Sequence, residues 1–162
     1  MRVGEEIERK FLVEDSFEAE EHKIENKIKI KQAYVSLDPE RIVRVRIIND
    51  KKAILTIKSK KNDLARFEFE YTIPLSEGEE LIDHVAYKPY IRKTRYKIRS
   101  KGKDWEIDYF TGKNKGLVLA EVELDQEDKD LERPDFIKEE VTDDKRYYNF
   151  YLVKEPYNKW SN

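Results

Sequence analysis

The sequence predicts a mainly β fold of the α+β class, in which an antiparallel sheet is flanked by helices. Apolar and polar residues alternate in eight segments, turn residues separate several of these segments, and only two stretches have helical periodicity. The eight predicted strands are 4–13, 28–37, 41–49, 52–60, 66–74, 91–100, 103–111 and 117–124.

The connections fit strands that run back and forth. Asp38-Pro39, Asn49-Asp50 and Lys101-Gly102 are turn signals. After the fifth strand, Ser76 and Glu79 form a capping box, which predicts the start of a helix. The apolar face of that helix consists of Leu81, Ile82 and Val85.

The end of the chain predicts one more strand and one more helix. We expect a ninth, short strand near 137–142. A terminal helix is predicted to begin near Thr142 or Asp143, because aromatic and apolar residues follow at helical spacing. These residues are Tyr147, Tyr148, Tyr151 and Leu152. No composition shift marks a domain boundary, so one domain is expected over residues 1–162.

Composition excludes several classes of protein. Charged residues make up 42% of the 162 residues, yet the net charge is only −2, so a general nucleic-acid binder is not expected. Aromatic residues at 12% argue against disorder. The chain has no apolar run long enough to cross a membrane, no signal peptide and no cysteine, and a cytoplasmic location is expected.

One face of nearly every predicted strand is charged, because residues two apart share a side. Arg44 and Arg46, for example, lie opposite Val43, Val45 and Ile47. The charged faces comprise Glu6, Glu8, Lys10, Arg44, Arg46, Lys58, Arg66, Glu68, Glu70, Lys93, Arg95, Glu106, Asp108, Glu121 and Glu123.

Two arrangements explain these faces: an open sheet that turns them to water, or a closed sheet that turns them inward. The faces hold few uncharged polar residues, and cations and carboxylates are sorted onto different strands, which favours the closed barrel. Buried charges must pair with each other or with ions. A polyanion with divalent metal ions would supply such ions.

One signature and eight further short motifs then resemble one known family in the same order along the chain. After Glu6-Ile7-Glu8-Arg9-Lys10, which resembles the ExExK signature, follow Gln-Ala-Tyr, Val-Arg-Val-Arg, Leu-Thr-Ile-Lys, Glu-Phe-Glu, Lys-Thr-Arg-Tyr, Trp-Glu-Ile-Asp, Ala-Glu-Val-Glu-Leu and Glu-Val-Thr-Asp. The chain is thereby identified as a member of the CYTH superfamily, the triphosphate tunnel metalloenzymes, and is similar to its bacterial inorganic triphosphatase-like members. The resemblance implies an eight-stranded antiparallel closed barrel, a tunnel lined by charged residues.

The resemblance also implies roles for the charged residues. The implied ligands of Mg²⁺ or Mn²⁺ are Glu6, Glu8, Asp108, Glu121 and Glu123. The implied phosphate-binding residues are Lys10, Arg44, Arg46, Lys58, Lys93 and Arg95. Glu68 and Glu70 are expected to bind a second metal ion or to pair with cations. Lys10, Tyr34 and Glu8 are the implied catalytic residues, with Lys10 and Tyr34 assisting the attacking water.

Two positions depart from the family pattern. Alanine replaces glycine at position 33, and Tyr148 stands where many relatives have serine. Because of Tyr148, the terminal helix is left out of the expected site.

The expected reaction is hydrolysis of the terminal phosphate of a small triphosphate. Inorganic triphosphate is the first candidate substrate, followed by nucleoside or thiamine triphosphate. One alternative is a class IV-type adenylate cyclase, although no motif marks an adenine pocket. The other is a non-catalytic polyphosphate- or nucleotide-binding module, against which the full set of carboxylates argues. The oligomeric state stays open, a homodimer included.

Overall fold

The computed structural model describes residues 2–4, 7–60, 66–124 and 130–160, and confirms a mainly β architecture. Ten strands are present: β1 Arg2–Gly4, β2 Ile7–Val13, β3 Ile24–Asp38, β4 Arg41–Ile48, β5 Lys52–Lys60, β6 Arg66–Ile73, β7 Ile91–Ser100, β8 Lys103–Phe110, β9 Val118–Leu124 and β10 Ile137–Glu140. Two short helices, α1 Leu75–Glu80 and α2 Asn149–Lys154, accompany them, and α1 continues as a π-helical turn over Leu81–Val85.

All ten strands form one antiparallel sheet in the order β1-β6-β5-β4-β3-β7-β8-β9-β2-β10. β1 is at one end of this order and β2 is near the other, yet only positions 5 and 6 separate them in the chain. Three residue steps span at most about 11 Å. The sheet must therefore curve until β1 and β2 lie close together. No hydrogen-bonded pairing of β1 with β2 is present in the described residues, so the covalent chain makes this connection.

The tight turns have the backbone that their residues favour. Asn49 and Asp50 have φ values of 53° and 56°, and Lys101 and Gly102 have 51° and 74°. Two successive residues with positive φ are the mark of a type I′ turn, whose twist matches that of the flanking strands. These two turns join β4 to β5 and β7 to β8. The predicted bounds of β5 and β7 are confirmed to the residue.

The start of the first helix was predicted wrongly. α1 begins at Leu75, directly after Pro74, and no side chain caps its first turn. Pro74, with φ of −56° and ψ of 138°, ends the extended chain and leaves Ser76 inside the helix, where it cannot act as the cap. Ile82 of the following turn is fully buried, but Val85, which was expected on the apolar face, is 56% exposed.

The terminal helix also begins later than predicted, at Asn149 rather than near Thr142. The hydroxyl of Thr142 accepts a hydrogen bond from the backbone N–H of Lys10, at 2.9 Å. Asp144 then accepts the backbone N–H of Arg146 at 3.1 Å and caps a separate 3₁₀ turn over Lys145–Tyr147. After β10, the chain is thus hydrogen-bonded to β2 through Thr142 and then forms the 3₁₀ turn, so α2 can start only after that turn.

Apolar residues on the outward strand faces form the outer core. Trp105, Ile107, Ala120 and Val122, on adjacent strands, pack with Phe11 in one cluster. A second cluster joins Ala33, Val45, Ile47 and Ala53 to Ile82 under the first helix. The apolar halves of the alternating strands are therefore covered by other parts of the chain. No helix in the described ranges is long and apolar enough to cross a membrane.

A third apolar cluster lies on the inward faces and closes one end of the barrel. Leu152 and Val153 of α2 pack there against Tyr34, Ile91, Phe110, Leu117 and Leu119. Ile91 precedes Lys93 by two positions and Leu119 precedes Glu121 by two, so each shares a strand face with a charged residue. The inward face is thus apolar at this end, and α2 fills it.

Gly78 provides a test of how tightly α1 packs on β5. A Cβ atom at position 78 would lie 2.6 Å from the Cβ of Ala53, a contact that neither atom can avoid without backbone movement. Alanine favours a helix by about 1 kcal/mol over glycine, but overpacking costs about 1–3 kcal/mol. Both Cβ atoms are fixed to the backbone, so the overpacking cost should lie in the upper part of its range, about 2–3 kcal/mol. We therefore expect Gly78→Ala to lower the free energy of unfolding by about 1–2 kcal/mol in urea titrations.

Ser76→Ala, in the same helix, is the control. Ser76 is exposed and caps nothing, so this change should alter the free energy of unfolding by less than about 0.5 kcal/mol. A Gly78→Ala protein as stable as the wild type would show that α1 does not approach β5 this closely.

Candidate active site

The charged faces of the strands line the interior of the barrel, which forms the tunnel. Strand register places Glu8 opposite Glu123 and Lys10 opposite Glu121. Arg9, between Glu8 and Lys10, points outward and binds Glu140 at 2.6 and 2.9 Å. The strand register places charged and polar residues on the tunnel face that include Glu8, Lys10, Gln32, Tyr34, Arg44, Arg46, Thr56, Lys58, Glu68, Glu70, Lys93, Arg95, Glu106, Asp108, Glu121 and Glu123. Glu6 lies outside the described residues.

A buried cluster of three charges is centred on Asp108. Its carboxylate accepts two hydrogen bonds from Arg95, at 2.8 and 2.9 Å, and lies 2.9 Å from Nζ of Lys93. Burial alone would raise the pKa of Asp108, but Lys93 and Arg95 outweigh it and hold this pKa well below its usual range. Burial lowers the pKa of Lys93 to about 8, against the opposing effect of Asp108.

A second ion pair joins Lys10 to Glu121, and both side chains are almost entirely buried. Burial alone would lower the pKa of Lys10, but attraction to Glu121 outweighs it and raises this pKa. Solvent reaches Glu8 inside the tunnel, although protein surrounds its carboxylate on most sides. This confinement raises the pKa of Glu8, and repulsion from Glu121 adds to the effect. Negative charge therefore accumulates where β2 meets β9.

Positive charge accumulates on β4. Arg46 Nε donates to Gln32 Oε1 at 2.8 Å, and Gln32 Nε2 donates to Tyr34 Oη at 2.7 Å. Burial and repulsion from Arg44 lower the pKa of Arg46 to about 10. Nε of Arg44 is buried and makes no hydrogen bond with any described residue. Two mutually repelling guanidinium groups thus face the tunnel.

Carboxylates and a cation meet on β5 and β6. Lys58 Nζ lies 4.0 Å from Glu68 Oε2. A hydrogen bond with Glu68 raises the pKa of Glu70, and the exposed position of Glu70 keeps that effect modest. Glu68 is thus in contact with both a cation and a second carboxylate.

The structure places four residues against the tunnel that were not among the expected site residues, two of them from the terminal helix left out of the expected site. Asn149 accepts a hydrogen bond from Nζ of Lys93 at 3.2 Å, and Nζ of Lys10 lies 5.6 Å from the ring centroid of Tyr148. Gln32 and Thr56 are buried on the tunnel face. Gln32 stands in the Gln-Ala-Tyr motif, which was the available signal, but strand periodicity cannot show that the start of α2 enters the barrel.

The carboxylates can hold a divalent ion only together with other oxygens. Across residues 7–60, 66–124 and 130–160, no three acidic side chains are grouped closely enough to hold a metal ion. Mg²⁺ commonly takes one or two carboxylates, several waters and substrate phosphate oxygens. Glu8, which is repelled by Glu121 and lies opposite Glu123 in the strand register, fits that mode as one of one or two carboxylate ligands. Asp108 would have to exchange a contact with Lys93 or Arg95 for the ion.

Comparison with known proteins identifies the family. The sequence model of the CYTH domain matches residues 4–150. The chain belongs to the CYTH domain family. Family membership, inferred above from the signature and the further motifs, is thereby confirmed, and it implies a divalent metal ion as cofactor.

Individual CYTH relatives are similar over almost their whole length. An inorganic triphosphatase of Acetivibrio thermocellus is 42% identical over 159 residues, which is 98% of this chain and 99% of the relative. An inorganic triphosphatase of Nitrosomonas europaea is 34% identical over 148 residues, or 89% of this chain and 93% of the relative. A crystal structure of an inorganic triphosphatase superposes with a TM-score of 0.70 at 31% identity, covering 91% of this chain and 93% of that one.

The Asp108 cluster predicts a large effect of a small change on stability. Asp108→Asn keeps the shape but removes the charge that compensates Lys93 and Arg95. Breaking a buried ion pair from one side costs about 3–5 kcal/mol. We expect the free energy of unfolding at pH 7 to fall by that amount in denaturant titrations.

Asp104→Asn is the matched control on the same strand. Asp104 pairs with Arg99 at 3.1 Å on the surface, and such pairs contribute about 0–1 kcal/mol. Because the folded-state pKa of Asp108 is lowered, its contribution is complete above the unfolded pKa of about 3.9 and is lost as the pH falls below it. When the pH is lowered from 7 to below about 4, the free energy of unfolding should therefore fall less for the Asp108→Asn protein than for the wild type. If Asp108→Asn and Asp104→Asn lowered the free energy of unfolding by the same amount at pH 7, Asp108 would not be the centre of a buried charge cluster.

Proposed function

We propose that this chain is a hydrolase that removes the terminal phosphate from a small triphosphate, inorganic triphosphate first, with the help of Mg²⁺ or Mn²⁺. The observation that carries the proposal is the separation of charge in the tunnel. Arg44 and Arg46 repel each other on β4, whereas β2 and β9 carry Glu8, which is repelled by Glu121 and lies opposite Glu123 in the strand register. A triphosphate with a divalent cation supplies the opposite charge to both groups. The names of the two curated relatives support the same reaction.

The cationic residues would bind the phosphate oxygens. The buried Nε of Arg44 is a donor without a partner in the described chain, and a phosphate oxygen would satisfy it. Burial and repulsion from Arg44 lower the pKa of Arg46, and the attraction of a bound phosphate would offset that repulsion. The remaining cations around the tunnel are Lys10, Lys58, Lys93 and Arg95. Their charges would stabilise the charge that spreads over the peripheral oxygens during phosphoryl transfer.

Glu8, Glu121 and Glu123 would hold the divalent ion, and by the resemblance Glu6 and Asp108 belong to the same set. Such an ion neutralises phosphate charge and lowers the pKa of a bound water. Burial raises the pKa of Glu8 and repulsion from Glu121 adds to the effect, and a bound cation would offset that repulsion. Glu68 and Glu70 would pair with Lys58 or contribute to a second ion.

Lys10 and Tyr34 would orient the attacking water. Glu121 holds the ammonium group of Lys10 in the tunnel. Tyr34 Oη accepts a hydrogen bond from Gln32, which leaves the hydroxyl hydrogen to be donated to a water or a phosphate oxygen. Burial raises the pKa of Tyr34, so that the hydroxyl keeps this hydrogen at neutral pH.

The products test the proposed reaction directly. With triphosphate and Mg²⁺ or Mn²⁺, the protein should release orthophosphate and pyrophosphate in equal amounts, because one phosphoanhydride bond is cleaved. Excess EDTA should abolish the release, and ATP should give no cyclic AMP. Chromatography of the products checks all three expectations. Full activity in EDTA, or cyclic AMP with pyrophosphate as the main products from ATP, would overturn the proposal.

A change in one arginine tests the phosphate-binding side. Arg46→Ala removes a charged contact to phosphate worth about 1.5–3 kcal/mol, so kcat/KM for triphosphate should fall roughly ten- to a hundredfold. Initial-rate measurements over a range of triphosphate concentrations give this value.

Arg41→Ala is the control on the same strand. Arg41 lies at the exposed start of β4 and pairs with Asp38 at 3.0 Å. Its replacement should leave kcat/KM within about twofold, since it is remote from the tunnel face. Thermal midpoints of both variants separate lost binding from lost folding. Equal kinetic losses at equal stability would show that the tunnel-facing side of β4 has been assigned wrongly.

A further inference from the structure

Tyr148, immediately before α2, lies against the ammonium group of Lys10. Nζ of Lys10 is 5.6 Å from the centroid of the Tyr148 ring and forms an ion pair with Glu121. Lys10 is only 8% exposed. A cation over an aromatic face is attracted by the negative potential of the ring, and the attraction is stronger when water is excluded. The ammonium group is therefore held from two sides by different kinds of contact.

The segment that carries Tyr148 also binds the backbone of Lys10. The N–H of Val141 donates to the carbonyl of Lys10 at 2.8 Å, and the N–H of Lys10 donates to Oγ1 of Thr142 at 2.9 Å. The hydroxyl of Tyr148 donates to the carbonyl of Thr142 at 2.8 Å. The Tyr148 ring is thus linked, through Thr142, to the same residue whose ammonium group it faces. This arrangement fixes the ring relative to Lys10 independently of the rest of α2.

The next residue contacts the other buried lysine. Asn149 accepts a hydrogen bond from Nζ of Lys93 at 3.2 Å. The start of α2 therefore touches both of the buried lysines, Lys10 and Lys93, while Leu152 and Val153 anchor the helix in the apolar end of the barrel.

We propose that Tyr148 is a positioning residue, which holds the ammonium group of Lys10 in its working place through the face of its ring. The inference rests on the proposed function in so far as Lys10 acts on the attacking water. The hydroxyl of Tyr148 donates to the carbonyl of Thr142, so the face of the ring is the part that acts on Lys10. Glu121 alone would leave the ammonium group free to pivot about one contact.

Isosteric replacement of the ring tests this proposal. Tyr148→Phe keeps the ring face, and 3,4,5-trifluorophenylalanine at position 148 keeps the shape but removes the negative potential of the face. We expect kcat for triphosphate within about twofold of wild type for phenylalanine. For the trifluoro ring we expect a loss of roughly three- to thirtyfold, the range of a cation–π contact, with KM little changed. Tyr148→Leu should lose at least as much.

A structural role would give a different pattern. If phenylalanine and trifluorophenylalanine gave the same kcat, the ring potential would play no part and the proposal would fail. If phenylalanine lost as much as leucine, the bond to Thr142 would be responsible instead. Tyr147→Leu is the control, because the ring of Tyr147 packs on Trp160 at 5.1 Å rather than on Lys10. Its kcat should stay within about twofold of wild type.

An NMR measurement gives a readout that does not depend on turnover. The ring current of Tyr148 should shift the ε-methylene protons of Lys10 upfield, and Tyr148→Leu should remove this shift. An unchanged Lys10 signal would overturn the proposed contact. If the wild-type protein released no phosphate from triphosphate, the proposed function would fail by itself, and this signal would still decide whether the ring holds the lysine.

Discussion

Charge compensation inside the barrel is the constraint on which the rest of the structure depends. Turning charged side chains inward removes them from bulk water, so each must find an opposite charge. Asp108 between Lys93 and Arg95, and Lys10 with Glu121, meet this requirement within the protein. The requirement explains why cations and carboxylates sit on particular strands, and why stability and the candidate site share the same residues.

Compensation is incomplete in two places, and these places define the candidate site. Arg44 and Arg46 repel each other, and Glu8 is repelled by Glu121. A fold selected only for stability would pair or remove these charges, whereas a phosphate-binding tunnel retains them for its ligand. The inward face changes from charged to apolar over two residues, as from Lys93 to Ile91, and α2 fills the apolar end. The ligand site is thereby confined to the charged part.

Local physical chemistry explains which parts of the fold could be predicted. Strand periodicity and turn residues are properties of neighbouring positions, so β5, β7 and the turns at Asn49-Asp50 and Lys101-Gly102 followed from the sequence, although the type of turn did not. The division of each strand into a charged and an apolar face followed in the same way.

Other features could not be predicted from neighbouring residues. The capping box at Ser76 was predicted wrongly because Pro74 starts the helix earlier. The entry of Tyr148 and Asn149 into the barrel depends on contacts with β2 and β7, which are distant in sequence. The contacts of Asp108 with Lys93 and Arg95 likewise required the folded chain, since the motifs suggested only a metal ligand.

The central claim is that the tunnel gathers a triphosphate and a divalent cation on opposite walls. A crystal structure with Mn²⁺ and a non-hydrolysable triphosphate analogue, with anomalous diffraction to locate the manganese, tests it most directly. We expect manganese bound to carboxylate oxygens of one or more of Glu8, Glu121 and Glu123, and phosphate oxygens hydrogen-bonded to Arg44 and Arg46. Manganese and analogue bound on the outer surface, with the charged groups of the tunnel unaltered, would contradict it.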